Sequence, residues 1–265
     1  MVEFFIAFRH VVERKFQSVF SVLGVAIAVT VFIVSLTVSN GLEKNMINSL
    51  FLPQIILIMT KKQRADFVRK ELDKLYPKVP IFLHHTDAYT LLVAVALSAQ
   101  TTDKKVNEIT PELFRVAGTP QAMARLEVAE IKDLIKEIGL SNTKAKNLKG
   151  MAEMLLSDYE GVVPQTFEEL EKLPGVGHKT ASVVMSQWFG FPAFPVDTHI
   201  HRLMKLWKLT EGKNVVQTEA DAKKLFPQKD WNKLHLQIIS YGREYSPARN
   251  WSLEKDFITR QMFEK

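Results

Sequence analysis

Twenty consecutive uncharged residues, Val19 to Val38, limit what the front of this 265-residue chain can become. The run reads VFSVLGVAIAVTVFIVSLTV. At about 1.5 Å per residue a helix of that length crosses the ~30 Å hydrocarbon core of a bilayer, where a helix satisfies its own backbone polar groups. The run is too long for the apolar region of a signal peptide and does not end on a small-x-small cleavage pattern. A transmembrane helix over 19–38 is therefore the expectation, with a buried core helix as the alternative. Arg9, Arg14 and Lys15 precede the run, and only Lys44 follows closely, offset by Glu43. That asymmetry places the N-terminus in the cytoplasm.

The composition changes abruptly at Met59, where MTKKQRADFVRKELDKLYP looks like the beginning of a soluble protein. From there the apolar residues recur at helical spacing: Val68, Leu72 and Leu75 in one stripe, Tyr89 to Leu97 in a buried segment, and Leu126, Ile131, Leu134, Ile135 and Ile138 in another. Breaks fall at Pro77 and Pro80, Gly118 to Pro120, Gly139, Gly161 to Pro164, Pro174 to Gly177, Gly190 to Pro195, and Pro227. The pattern predicts an all-α fold of short helices in two lobes. With 46% hydrophobic and 24% charged residues, disorder and low complexity are excluded. The absence of cysteine excludes disulfides, thiolate metal sites and thiol nucleophiles. A formal charge of +6 suits a polyanionic partner without requiring one.

The most informative segment is LEKLPGVGHKTASVVMSQWFG, Leu170 to Gly190. Pro174, Gly175 and Gly177 interrupt two helical patterns, so the segment predicts helix, tight turn, helix. Bare amides in such a turn, together with the N-terminus of the second helix, can hold a phosphate. A hairpin that merely packs is the plain alternative. Lys179 falls in the first turn of the second helix, where the helix dipole and any desolvation favour the neutral, nucleophilic amine. An exposed lysine touching phosphate is its alternative. In FPVDTHIHRLMKLW, Asp197 directly precedes the apolar-periodic Ile200, Leu203 and Leu206, the setting of an N-cap. A carboxylate aimed in this way can also stabilise a sugar cation.

Four segments, LSAQTTDKKVN, IGLSNTKAKNL, LPGVGHKTASVV and FPVDTHIHRL, in this order and spacing, resemble the endonuclease III family of the helix-hairpin-helix DNA glycosylase superfamily. The resemblance covers nearly all of residues 59–265. It implies a six-helix barrel over 81–191 that contains the helix-hairpin-helix, beside a second helical lobe made from 59–80 and 192–265. It implies a bifunctional DNA glycosylase and abasic-site lyase of base excision repair, removing oxidised pyrimidines and cutting the strand by β-elimination. Carried over residue by residue, Lys179 is the amine that attacks the sugar C1′ to form a Schiff base, and Asp197 assists departure of the base. Gln100 fills the hole left by the flipped nucleotide, and Leu140 is a second wedge unless it is a helix-ending core leucine. The hairpin residues Leu173, Gly175, Val176, Gly177, His178 and Thr180, with His199, are the implied DNA-binding set. Asp103 falls at the pocket by the same resemblance, or else caps the helix that follows it.

The tail departs from the family. Its members usually hold an iron-sulfur cluster on four closely spaced C-terminal cysteines, whereas this chain has Ser246 at the first of those places and no thiol anywhere. No metal and no cofactor are therefore expected. Trp251, Leu253, Phe257, Ile258, Met262 and Phe263 are expected to pack the tail instead. Residues 1–58 resemble the N-terminus of lipoprotein-releasing ABC transporter permeases and carry no catalytic motif, so they are expected to be dispensable for activity. The expected partner is damaged double-stranded DNA, met by a cytoplasmic monomer, with a membrane involved only where residues 1–58 are retained. Three other functions compete. An adenine-mismatch glycosylase of the same fold is disfavoured because that group lacks lysine at position 179. A non-catalytic DNA-binding module leaves the pair Lys179 and Asp197 without a purpose. A membrane transport subunit draws support from residues 1–58 alone.

Overall fold

A computed structural model describes residues 59–264, with side chains through Met262. The expected membrane span over 19–38 and the permease-like segment lie outside the described residues. No described helix is long and apolar enough to cross a membrane. Met59 to Lys265 form one compact unit. Among the described residues it is built from helices alone, as the periodicity predicts: α1 Lys61–Leu75, α2 Ala88–Ser98, α3 Asp103–Ala117, α4 Pro120–Arg125, α5 Val128–Leu134, α6 Ser141–Asp158, α7 Phe167–Lys172, α8 His178–Gln187, α9 Thr198–Leu206, α10 Val215–Leu225, α11 Trp231–Glu244 and α12 Phe257–Glu264.

Two hydrophobic cores organise this unit. The first is centred on α2, whose Tyr89 to Val95 and Leu97 are all buried. A helix that is apolar on every side has to be surrounded, and α3, α6 and α8 pack around it. Its start is set locally by a capping box, in which Asp87 Oδ1 accepts the Thr90 amide at 2.8 Å and Thr90 Oγ1 accepts the Asp87 amide at 3.0 Å. The second core draws on both ends of the unit, with Val68 and Leu72 of α1 packed among Leu203, Trp207, Ile238 and Ile258. Arg64 fastens α1 there, its guanidinium donating to the carbonyls of Trp207 at 3.1 Å and Lys208 at 2.8 Å.

Two expectations need correction. The stripe from Leu126 to Ile138 is not one helix, because only Val128–Leu134 is helical. The Ile135 amide donates to both Ile131 and Lys132, and Ile138 donates to Ile135 at 2.9 Å, a tightening that ends the helix ahead of the left-handed Leu140. In the tail, Ile258 and Met262 are buried as expected, but Trp251 is 41% exposed. Its indole contributes a hydrogen bond rather than area, donating to Asp256 Oδ2 at 2.8 Å. Leu253 and Phe257 are half-buried, and the side chain of Phe263 lies outside the described residues.

Candidate active site

The helix-hairpin-helix runs from α7 to α8. Thr166 caps α7 by accepting the Glu169 amide at 3.3 Å, and the turn closes through Leu173 to Leu170 and Val176 to Leu173, both at 3.1 Å. Gly175 adopts φ +80°, and a Cβ built there would lie 2.9 Å from Asn147 Nδ2, so both its backbone and its neighbour call for glycine. Leu173 and Val176 bury their side chains in the first core, which leaves only their main chain available to a ligand. Gly177 caps α8 without a side-chain hydrogen bond, so the amides at this helix start have no competing side-chain acceptor. His178 is exposed, with Nδ1 at 2.9 Å from Glu171 and Nε2 at 3.2 Å from Glu219. Thr180 is half-buried one residue beyond Lys179.

Lys179, on α8, and Asp197, at the start of α9, line one open cavity of ≈ 670 Å³ together with Gln100, Asp103, His199 and Arg243. Lys179 is exposed at its wall, so the desolvation anticipated for this amine is not supplied by the free protein. Asp197 is the N-cap of α9, as its place before the apolar stripe predicts, with Oδ1 accepting the Ile200 amide at 2.8 Å. One carboxylate oxygen is therefore spent on orientation. His199 is half-buried, and burial lowers its basicity despite the opposing effect of Asp197; its Nδ1 is buried without a partner. A Cβ at Gly242 would lie 3.0 Å from that nitrogen, so a side chain at 242 would crowd the imidazole where α11 packs against α9.

Asp103 is not the cap of α3. Thr102 takes that place, accepting the Lys105 amide at 3.3 Å, and the Asp103 carboxylate instead pairs with Arg243 of α11. This ion pair lies in the cavity wall and joins α3 to α11, and the guanidinium also sits 4.4 Å from the centre of the Phe82 ring. His235 lines a second, smaller cavity of ≈ 80 Å³ that shares Lys179, Asp197, Asp103 and Arg243 with the first. It is buried, donates Nδ1–H to the Pro195 carbonyl at 2.8 Å, and is pushed down to about 4 by that burial, so its imidazole is neutral near pH 7. Sequence reasoning singled out neither Arg243 nor His235. Each sits on an amphipathic helix, and its partner lies 140 or 40 residues away.

Gln100 and Leu140 both sit in left-handed turns, with φ 57° and 62°. Leu140 is 59% exposed, which removes its reading as a core leucine. An apolar side chain so displayed is available to replace a lost base in a stack.

The tail does not fit a thiolate-held cluster. Ser246, where the first thiolate would stand, is fully buried; its hydroxyl accepts from Arg202 Nη1 at 3.2 Å and its carbonyl accepts from Arg202 Nη2. Beside it, Asp256 is enclosed by hydroxyl, indole and amide donors. Oxygen and nitrogen groups that satisfy one another leave no ligand set for iron. Among the described residues no group of three histidine or acidic side chains could hold a metal ion.

Residues 93–228 match the family model of the HhH-GPD superfamily base excision DNA repair protein. The chain is similar to an endonuclease III of Synechocystis sp., with 42% identity over 191 residues, covering 72% of this chain and 87% of that protein. It is also similar to one of Escherichia coli strain K12, with 41% identity over 72% of this chain and 90% of that protein. Among solved structures, a trapped endonuclease III–DNA covalent intermediate superposes with a TM-score of 0.72 at 37% identity, covering 74% of this chain and 92% of the other. A non-covalent endonuclease III–DNA complex gives 0.74 at 34% identity, covering 78% and 100%. The chain thus belongs to the endonuclease III family of helix-hairpin-helix base excision repair proteins.

Proposed function

We propose that Lys179 and Asp197 carry out the chemistry of this protein, a bifunctional DNA glycosylase and abasic-site lyase of base excision repair. The observation that supports the assignment is that both side chains, drawn from separate helix starts, line one open cavity. The Lys179 amine, once it has given up its proton, forms a bond to C1′ as the bond from C1′ to the damaged base breaks, and the base leaves with that electron pair and takes up a proton. The carboxylate of Asp197, held by the Ile200 amide, steadies the positive charge that develops on the sugar. The nitrogen then loses a proton and its lone pair expels O4′, which leaves with the C1′–O4′ electron pair and takes up a proton, giving an iminium at C1′. Removal of a C2′ proton then lets the C3′–O bond break, with its electrons departing on the 3′-phosphate.

The substrate is damaged double-stranded DNA, with oxidised pyrimidines as the favoured bases. The amides of Gly175 to Thr180 hold a phosphate, while Gln100 and Leu140 enter the duplex and His199 lines the pocket. Residues 81–191 act as the barrel, and 59–80 with 192–265 as the second lobe. The enzyme works as a cytoplasmic monomer without metal or cluster, and residues 1–58, whether or not they place 19–38 in a membrane, do not contribute to the chemistry.

Borohydride trapping on DNA with a damaged base tests the assignment. Lys179→Gln should abolish the covalent complex while leaving duplex binding largely intact, because phosphate contacts are spread over many groups. Asp197→Asn keeps a capping side chain but loses the charge, and turnover should fall about 10²- to 10³-fold. A trapped complex in Lys179→Gln, or near-native turnover in Asp197→Asn, would remove that residue from the mechanism.

A further inference from the structure

Lys144 is a buried cation that the chemistry above does not use. It lies in the first turn of α6 and is 8% exposed. Its ammonium spends three donors on three neutral oxygens: the carbonyls of Leu97 at 2.9 Å and Ala99 at 2.6 Å, and Thr101 Oγ1 at 3.2 Å. Burial alone holds the amine below the usual lysine range. A methionine would fill the same space without placing a charge there, so the ammonium's contribution is geometric.

Two of its acceptors flank Gln100 in the chain. Leu97 and Ala99 belong to the C-terminal end of α2, where unpaired carbonyls and the helix dipole favour a cation. Gln100 itself is exposed and left-handed, a conformation that a residue with a side chain keeps only where its surroundings dictate it. Lys144 acts on the second turn as well. Its main-chain amide donates to the Leu140 carbonyl at 2.9 Å and closes the first turn of α6 on that left-handed residue. The two turns are neighbours, since a Cβ built on Gly139 would lie 3.9 Å from the Gln100 carbonyl oxygen. One lysine thus fastens both turns, one through its ammonium and the other through its backbone.

We propose that Lys144 is a positioning residue for base extrusion, locking the turn that presents Gln100 against the turn that presents Leu140 so that both side chains enter the duplex in register. The proposal rests on the reading of those two residues as wedges. It ties Lys144 to opening a paired duplex rather than to chemistry at C1′, and this separates a positioning role from a merely structural one.

The test uses the full chain and compares single-turnover excision of thymine glycol from a paired duplex with β-elimination at a preformed abasic site, where no base has to be unpaired. Lys144→Met keeps the apolar stem and removes the donors. It should lower excision about 10- to 100-fold while elimination changes by at most about threefold. The fluorescence of 2-aminopurine opposite the lesion, which reports unstacking, should fall in parallel. Thr101→Val removes one acceptor and leaves Lys144 in place, so it should show the same split at smaller size even where Lys144→Met melts too low to assay. Gln100→Ala alone should impair excision, and adding Lys144→Met to it should cost little more than Lys144→Met by itself. Equal losses in both reactions, or native excision in a folded Lys144→Met, overturn the proposal. Native excision in Gln100→Ala overturns the wedge reading, and the proposal with it.

Discussion

Replacing Asp256 by alanine should loosen the whole C-terminal segment. The residue is fully buried, and its carboxylate accepts from the Tyr241 hydroxyl at 2.5 Å, the Trp251 indole at 2.8 Å and the Thr259 amide at 3.1 Å. The Tyr241 oxygen in turn accepts the Ile258 amide at 2.9 Å, so the network links α11 to the start of α12. Burial, with Asp256 beside it, pushes the Tyr241 hydroxyl well above its ordinary range, which keeps it a donor. Alanine leaves three donors with no acceptor. Stranding one such group costs about 1–3 kcal/mol, and with water reaching the part-exposed Trp251 indole the loss comes to about 3–5 kcal/mol in all. At about 2–4 °C per kcal/mol for a unit of this size, the melting temperature should fall by roughly 6–20 °C. Asp256→Asn, which keeps the shape and one acceptor oxygen, should fall by less. Scanning calorimetry of the full chain measures the shift, and borohydride trapping well below the transition checks that the distant cavity is intact. A shift under about 2 °C would refute the reasoning, because the tail would then be held by Ile258 and Met262 without the carboxylate.

Two further outcomes are expected. Met59–Lys265 should be soluble and should incise abasic-site DNA as the full chain does; a soluble, inactive fragment would show that residues 1–58 contribute. Acid should weaken the fold through His235, whose folded imidazole is depressed to about 4 while an unfolded one takes its proton near ~6.5. Between those values the unfolded chain binds more protons, so this stability is complete above ~6.5 and is lost as pH falls towards 4, about 3 kcal/mol in all. His235→Gln should flatten the dependence of the urea midpoint between pH 7 and pH 5, and an unchanged slope would exclude His235 as its source.

The helical architecture was legible because its determinants are local. Asp87 with Thr90, Thr166 with Glu169 and Asp197 with Ile200 cap their helices across three residues, a spacing visible in any sequence. The hairpin was legible for the same reason, since Pro174, Gly175 and Gly177 exclude continued helix. Periodicity failed at Ile135 and Ile138, which keep the apolar spacing but lie past the end of α5, because burial imposes the same pattern on a tight turn as on a helix. Trp251 misled for a related reason. Hydrophobicity predicts area, whereas its indole N–H was the group the tail needed.

What the sequence determined by itself was the all-α class, the hairpin and, through four motifs in register, the family to which the chain belongs. Only the tertiary structure decided that Asp103 pairs with Arg243 rather than capping α3, that His235 shares a small cavity with Lys179 and Asp197 as a neutral imidazole, that Leu140 is displayed rather than buried, and that Ser246 and Asp256 stand in a network where a cluster would not fit. The reason is one of range. A cap or a helical stripe is settled within a few residues, but the Asp103 carboxylate meets its guanidinium across 140 positions and the Ser246 hydroxyl meets Arg202 across 44. Such partners are chosen by the packing of the two cores and leave no mark on the residues beside them in the chain.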